Sequence, residues 1–157
     1  MKESEFEGKK RSEILEDDFL SDDYLAGFID GDGCIELSAK RKNGKIVGFN
    51  PCLSISNTNK RILKLIQKNI GGQIYVNNKG SPNKVAYDLR INKLSRIKKV
   101  LEPLVFRLRI KKLNAVLMIA YCELRLKNYK KKYTGKEEEA YEIFRMMNKR
   151  GPGGVID

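Results

Sequence analysis

Apolar and polar positions repeat along the chain with two different periods, and each change of period marks an element. Leu25, Phe28 and Ile29 fall at helical spacing. They predict a helix from about Asp18 or Ser21 to Asp32, with Ser21-Asp22-Asp23 at its N-terminal cap. The period then drops to two. Ile35, Leu37 and Ala39 share one face of a strand over 34–42, and Cys34, Glu36, Ser38, Lys40 and Lys42 share the other. Asn43-Gly44 predicts a tight turn. A return strand over 49–57 puts Leu53 and Ile55 inward and Asn50, Cys52, Ser54 and Ser56 outward, while Pro51 points to an edge or a bulge.

A helix over about 59–70 follows, with Ile62, Leu63 and Ile66 as its apolar stripe, and Gly71-Gly72 stops it. A second hairpin repeats the first. Gln73, Tyr75, Asn77 and Lys79 alternate with Ile74 and Val76, Gly80-Ser81-Pro82-Asn83 turns the chain, and Lys84, Ala86, Asp88 and Arg90 alternate with Val85, Tyr87, Leu89 and Ile91. A helix over 94–101 closes this unit before Pro103. Helix-strand-strand-helix-strand-strand-helix predicts an α+β domain with one four-stranded antiparallel sheet, apolar under the helices and polar on its other face. Two further helices are expected to cover the core, one through Leu113, Val116, Leu117, Ala120 and Leu124, the other through Ala140, Ile143, Phe144 and Met147. The basic run 127–132 between them is a solvated loop or a phosphate contact. The expected organisation is an acidic N-terminal arm over 1–17, a single domain over 18–148 and a short tail over 149–157.

Charge sharpens this picture. The net charge is +12, but residues 1–33 carry 4 Lys/Arg against 11 Asp/Glu, so the remainder carries 28 against 9. Between 40 and 112 there are 19 basic residues against only Asp88 and Glu102. Such a body suits a polyanion, and its amides and cations on a twisted ribbon suit base edges in a major groove. The candidate DNA contacts are therefore Glu36, Ser38, Lys40, Lys42, Asn50, Ser54, Ser56, Gln73, Tyr75, Asn77, Lys79, Lys84, Asp88 and Arg90. A membrane is not expected as a partner, because the longest apolar run, 113–122, is about half of a spanning helix. Three scattered cysteines make no CxxC pair, which predicts reduced thiols, and the acidic start is unlike a leader; both suit an intracellular protein. With no histidine, the chain cannot use Ser-His triads or His-dependent hydrolase chemistry, and any metal would be held by oxygens.

The candidate chemistry sits at 24–33, Tyr-Leu-Ala-Gly-Phe-Ile-Asp-Gly-Asp-Gly. Gly27 and Gly31, four apart, leave one side of the helix bare, where a second helix could approach. Asp30 and Asp32 stand at a helix C-terminus, where the dipole disfavours each by about 0.3–1 kcal/mol. A cation beside them would offset this, whereas an ordinary Asp-Gly turn is the plainer alternative. An EF-hand loop beginning at Asp30 fails, since Cys34, Ile35 and Arg41 would stand where a ligand, Gly and Glu are needed.

The stretch LAGFIDGDG resembles the signature of the LAGLIDADG homing endonucleases over nine consecutive positions, and the chain carries it once. The resemblance implies an αββαββα core with a saddle-shaped sheet over DNA. It also implies a homodimer packed through the signature helix, with Ala26, Gly27, Asp30 and Gly31 at the interface. One chain offers few oxygens, so pairing two copies of Asp32 on a two-fold axis would make a better site for a hard cation. By position in the motif, Asp32 and the Gly31 carbonyl are the expected metal contacts, for Mg²⁺ or another divalent cation such as Mn²⁺ or Ca²⁺. Asn59 is the expected solvent-ordering residue, with a helix N-cap as its alternative role. Lys111 is the expected basic residue near the phosphate, with Arg109 and Lys112 as alternatives. The implied activity is metal-dependent double-strand cleavage of a long, pseudo-palindromic DNA site. An intron RNA maturase, or a non-cleaving nucleic-acid binder on the same scaffold, is the alternative.

Overall fold

The computed structural model describes Gly8, Lys10 and residues 14–77 and 84–149. The expected arm and tail therefore lie largely outside the described residues, as do Lys79 and the second hairpin turn. After a short 3-10 turn at Glu16–Asp18, the elements are α1 (Asp22–Asp32), β1 (Gly33–Lys42), β2 (Lys45–Asn57), α2 (Lys60–Ile70), β3 (Gln73–Asn77), β4 (Ala86–Ile91), α3 (Leu94–Leu101), α4 (Lys112–Lys127) and α5 (Gly135–Met147). The four strands form one antiparallel sheet in the order β1-β2-β4-β3, so the expected α+β architecture is the observed one.

Ser21 caps α1 by accepting the Tyr24 N–H at 3.1 Å. Gly33 ends it for a reason other than backbone freedom. Its φ is an ordinary −85°, but a Cβ there would lie 2.5 Å from the Ile29 carbonyl oxygen, so only glycine lets β1 leave so close to the helix. Asn43 (φ 51°) and Gly44 (φ 77°) both take the left-handed conformation of a two-residue hairpin turn. The turn begins β2 at Lys45, four residues earlier than the alternation suggested. The register slips between Lys40 and Arg41, where β2 carries Val47 as its extra residue. Pro51 lies where β2 has β1 on one side and no β4 partner on the other, so its missing N–H breaks no bond to β4.

Leu25, Ala26 and Ile29 of α1 pack with Ile35, Leu37, Leu53, Ile55, Leu89 and Ile91 of the sheet and with the inner faces of the remaining helices in one core. The C-terminal helices turn differently from expectation. In α4 the buried face is Ala115, Met118, Tyr121, Cys122 and Arg125. Leu113 and Val116 are exposed instead, as is Ala120. The helix is apolar nearly all round, and α3, packed against it, selects the other stripe. In α5, Ala140 and Phe144 face inward as expected, but Ile143 is exposed and Glu137 takes a core position.

Glu137 is fully buried and closes a polar cluster. It accepts from the Thr134 N–H and hydroxyl at 2.7 and 2.5 Å and pairs with Arg125 at 3.3 Å. Arg125 also donates to the Lys131 carbonyl and lies 4.1 Å from the centroid of the Tyr133 ring. Tyr133 in turn packs on Phe49 and over Gly48, where a Cβ would approach its ring to 3.2 Å. This cluster fixes the Lys130-Lys131-Lys132 loop beside the β1–β2 hairpin, around a cleft of about 630 Å³. Among the described residues, no helix is long and apolar enough to cross a membrane.

Candidate active site and nucleic-acid interface

The end of α1 separates the two aspartates. Asp30 turns to the segment before α4, and its carboxylate accepts the backbone N–H groups of Arg109 (2.7 Å), Ile110 (3.1 Å) and Lys111 (3.0 Å). The negative end of α1 thus meets the positive end of α4, which relieves the unfavourable placement of Asp30 without a metal. Asp32 is exposed, and its Oδ2 accepts from the Asn57 side chain at 2.8 Å.

Asn57, at the end of β2, was not singled out from the sequence; Asn59 was. The structure gives the two asparagines different partners. Asn59 Oδ1 accepts the Arg61 and Ile62 N–H groups at 3.0 and 3.2 Å and caps α2. Asn57 reaches Asp32 because its strand ends beside α1, and its Oδ1 holds the Asn59 N–H at 2.8 Å. The chain S-N-T-N offers two asparagines two apart, and the end of the strand decides between them: the last strand position meets the helix end, while the next asparagine starts the helix.

Lys111 comes to the same helix end, where its ammonium donates to the Asp30 carbonyl at 2.5 Å. Arg109 is exposed beside it, on the rim of a cleft shared with Cys34, Ile110 and Asn148. Gly27 and Gly31 are exposed, and nothing lies within 4 Å of a Cβ built on either. The bare side of α1 is therefore open, flanked by Tyr24 and Phe28. Ala26, expected on that side, instead faces the core at 1% exposure, and Asp30 is engaged by the loop before α4. Among the described residues, no cluster of three or more His, Cys, Asp or Glu could hold a metal within one chain.

The polar sheet face starts from this corner. Glu36, Ser38, Lys40, Lys42, Asn50, Ser56, Tyr75, Lys84 and Arg90 are exposed; Ser54, Gln73 and Asn77 are half-buried. Asp88 departs from expectation, being buried at 4% exposure. Its burial alone would raise its pKa. Hydrogen bonds from Ser56, Arg90 and Asn77, with the Arg90 charge, outweigh this and hold it below the ordinary carboxylate value. Burial, with Glu36 nearby, pushes the Cys52 thiol up to about 12, so it stays protonated and is no nucleophile.

An exposed carboxylate thus stands at the corner of a polar antiparallel sheet face, beside a helix bare on one side. The chain belongs to the LAGLIDADG endonuclease family, whose model matches residues 25–133. No curated protein matches it. Among solved structures it is similar to the homing endonuclease I-CvuI in complex with a DNA target, at 22% identity over 84% of this chain and 80% of that one, with a TM-score of 0.60. It is similar to the archaeal intron-encoded I-Vdi141I complexed with DNA, at 17% identity over 86% and 88%, with a TM-score of 0.67. It also resembles I-LtrWI bound to target DNA, at 19% identity and a TM-score of 0.65; here 89% of this chain covers only 47% of the other.

Proposed function

We propose that the chain is a site-specific double-strand DNA endonuclease that acts as a homodimer and needs a divalent cation. The observation that carries this reading is Asp32, a lone exposed carboxylate at the end of a helix whose neighbouring side is free of side chains at Gly27 and Gly31. A hard cation takes about six oxygens. One chain offers the Asp32 carboxylate and, next to it, the Gly31 carbonyl in the last turn of α1. This donor set fits such an ion only when a second Asp32, phosphate oxygens and water join it. The open side of α1 is where a second chain would bring them. That I-LtrWI is about twice the length of the matched unit agrees with two such units per nuclease. I-CvuI was crystallised on DNA with Mg or Ca, which agrees with a hard divalent ion.

A cation held there supplies Lewis-acid charge to the scissile phosphate. The protein's own groups do the positioning. Asn57, fixed by Asp32, presents its amide at the strand end where a water would lie. Lys111 and the exposed Arg109 place positive charge at the same corner. The sheet face lies in the major groove, and the Lys130–Lys132 loop extends its positive potential past the hairpin.

The test is cleavage of a randomised palindromic library with Mg²⁺, with and without EDTA, for the native protein and Asp32→Asn. The reading expects metal-dependent double-strand cuts at one long motif, abolished in Asp32→Asn with binding kept or tightened. Salt-sensitive binding without any cleavage would instead favour a non-cleaving binder. Gly27→Leu should convert the dimer to an inactive monomer by light scattering, and a fully active monomer would refute the interface.

A further inference from the structure

One charged group on the polar sheet face is buried, and it organises its exposed neighbours. Asp88 accepts from the Ser56 hydroxyl at 2.6 Å, from Asn77 Nδ2 at 3.2 and 3.3 Å, and from Arg90 Nη2 at 2.9 Å. These donors come from three adjacent strands, β2, β3 and β4. The Arg90 guanidinium is also supported by the Tyr75 ring, 5.6 Å from its centroid. A long side chain in the middle of an exposed face is thus held on two sides, by a carboxylate at one amino group and an aromatic ring at its plane. Its side chain nevertheless remains 48% exposed.

Such an arrangement is poorly suited to a phosphate contact, for which a mobile charge suffices, and well suited to base readout. The fork that matches guanine O6 and N7 works only if its direction is fixed before binding. We propose that Arg90 reads a guanine in each half-site, with Asp88 and Tyr75 as the positioning residues that aim it. The sheet register also places that guanine. Arg90 lies opposite Ser54, whereas Tyr87 lies opposite Asn57 at the catalytic corner. Three residues of strand are about 10 Å, or roughly three base-pair steps at about 3.4 Å each. The guanine therefore stands about three base pairs outboard of the Asn57–Asp32 corner, once on each side of the two-fold axis.

This inference rests on the endonuclease reading, and the experiment separates the two. The full-length native protein, Arg90→Ala, Asp88→Asn and Tyr75→Ala are each used to select bound duplexes from a randomised library in Ca²⁺. Affinities for the selected site and its single base-pair variants are then measured across salt. Native protein should show a symmetric G·C pair at the stated spacing. Arg90→Ala should lose preference at that pair alone, by about 5- to 150-fold, which is the worth of one bidentate arginine–guanine contact. Asp88→Asn and Tyr75→Ala should weaken preference at the same pair while leaving the salt slope unchanged. Thermal melts check folding. Tyr75 is exposed, so its variant keeps the test open if Asp88→Asn unfolds. An unchanged base preference in Arg90→Ala overturns the proposal. So does uniform weakening with a salt slope lower by about one, the mark of a phosphate contact. If the native protein selects no long motif, the endonuclease reading falls, and the guanine assignment falls with it.

Discussion

Glu137→Gln tests the packing argument at its most exposed point, because glutamine keeps the size and removes only the charge. In the native protein Glu137 has no exposed surface, and the side chain of its partner Arg125 is 9% exposed. The substitution leaves a buried guanidinium without a counter-charge. Breaking a buried pair in this way costs about 3–5 kcal/mol, which for a chain of this size corresponds to a fall of about 6–20 °C in Tm. Urea denaturation should show a lower midpoint at unchanged m. A double variant, Glu137→Gln with Arg125→Met, should regain much of the loss, since both charges are then gone. The sign of the pH dependence also follows. The Thr134 and Arg125 hydrogen bonds overcome the effect of burial and hold the Glu137 carboxyl below its ordinary value. Its contribution is therefore fully present above the unfolded glutamate pKa of about 4.3. It is lost as pH falls through the lower folded value. The gap between native protein and Glu137→Gln should accordingly narrow below about pH 4. Because Arg125 holds the Lys131 carbonyl, the variant should also bind DNA more weakly and with a shallower salt slope. A Glu137→Gln protein within about 1 kcal/mol of native at pH 7 would refute the assignment of this cluster as the anchor of the basic loop.

Two further outcomes follow from the ends of α1. Asp30→Ala removes the acceptor of three N–H groups in a partly solvated place, and should cost about 2 kcal/mol, the upper range for a helix cap. Amide exchange should accelerate at 109–111, and unchanged protection there would argue against the bridge between α1 and α4. Gly33→Ala forces a Cβ to within 2.5 Å of the Ile29 carbonyl oxygen and should destabilise by about 1–3 kcal/mol in urea melts. Native stability in that variant would show that the helix-to-strand junction can shift.

The sheet was legible in the sequence because a half-buried strand must alternate. Ile35 and Leu37 on β1, and Leu53 and Ile55 on β2, mark one face without ambiguity. Helix α4 was not legible, since two interleaved apolar stripes run along it and only the elements packed on it, α3, β1 and α5, distinguish them. The site divided in the same way. Asp32 was singled out by its motif and by its clash with the helix dipole, and the structure leaves it exposed at that helix end. Asp30 broke the same local rule but is answered by backbone N–H groups from 79 to 81 residues away, which no local pattern encodes. Asn57 and Asn59 differ only in whether the strand or the helix claims them, and that depends on where the chain bends. The burial of Asp88 arises from three strands meeting, so alternation alone placed it on the correct face and at the wrong depth.

The β1–β2 hairpin outruns its neighbours. From Leu53 to Ile55, β2 is flanked by both β1 and β4, and Ser56 and Asn57 keep β4, whereas toward Lys45 it has only β1. The outer half rests on Tyr133 and Tyr141 through Phe49 rather than on the sheet. The Asp32–Asn57 corner thereby sits next to the most cross-braced part of the sheet, and the tip of the hairpin where bracing is least. Changes at Arg41, Lys42 or Val47 alter what the hairpin tip meets without disturbing Asp32 or Asn57. Under the proposed function, a protein built in this way would follow a drifting target one base pair at a time, because retargeting and turnover would draw on separate parts of the molecule.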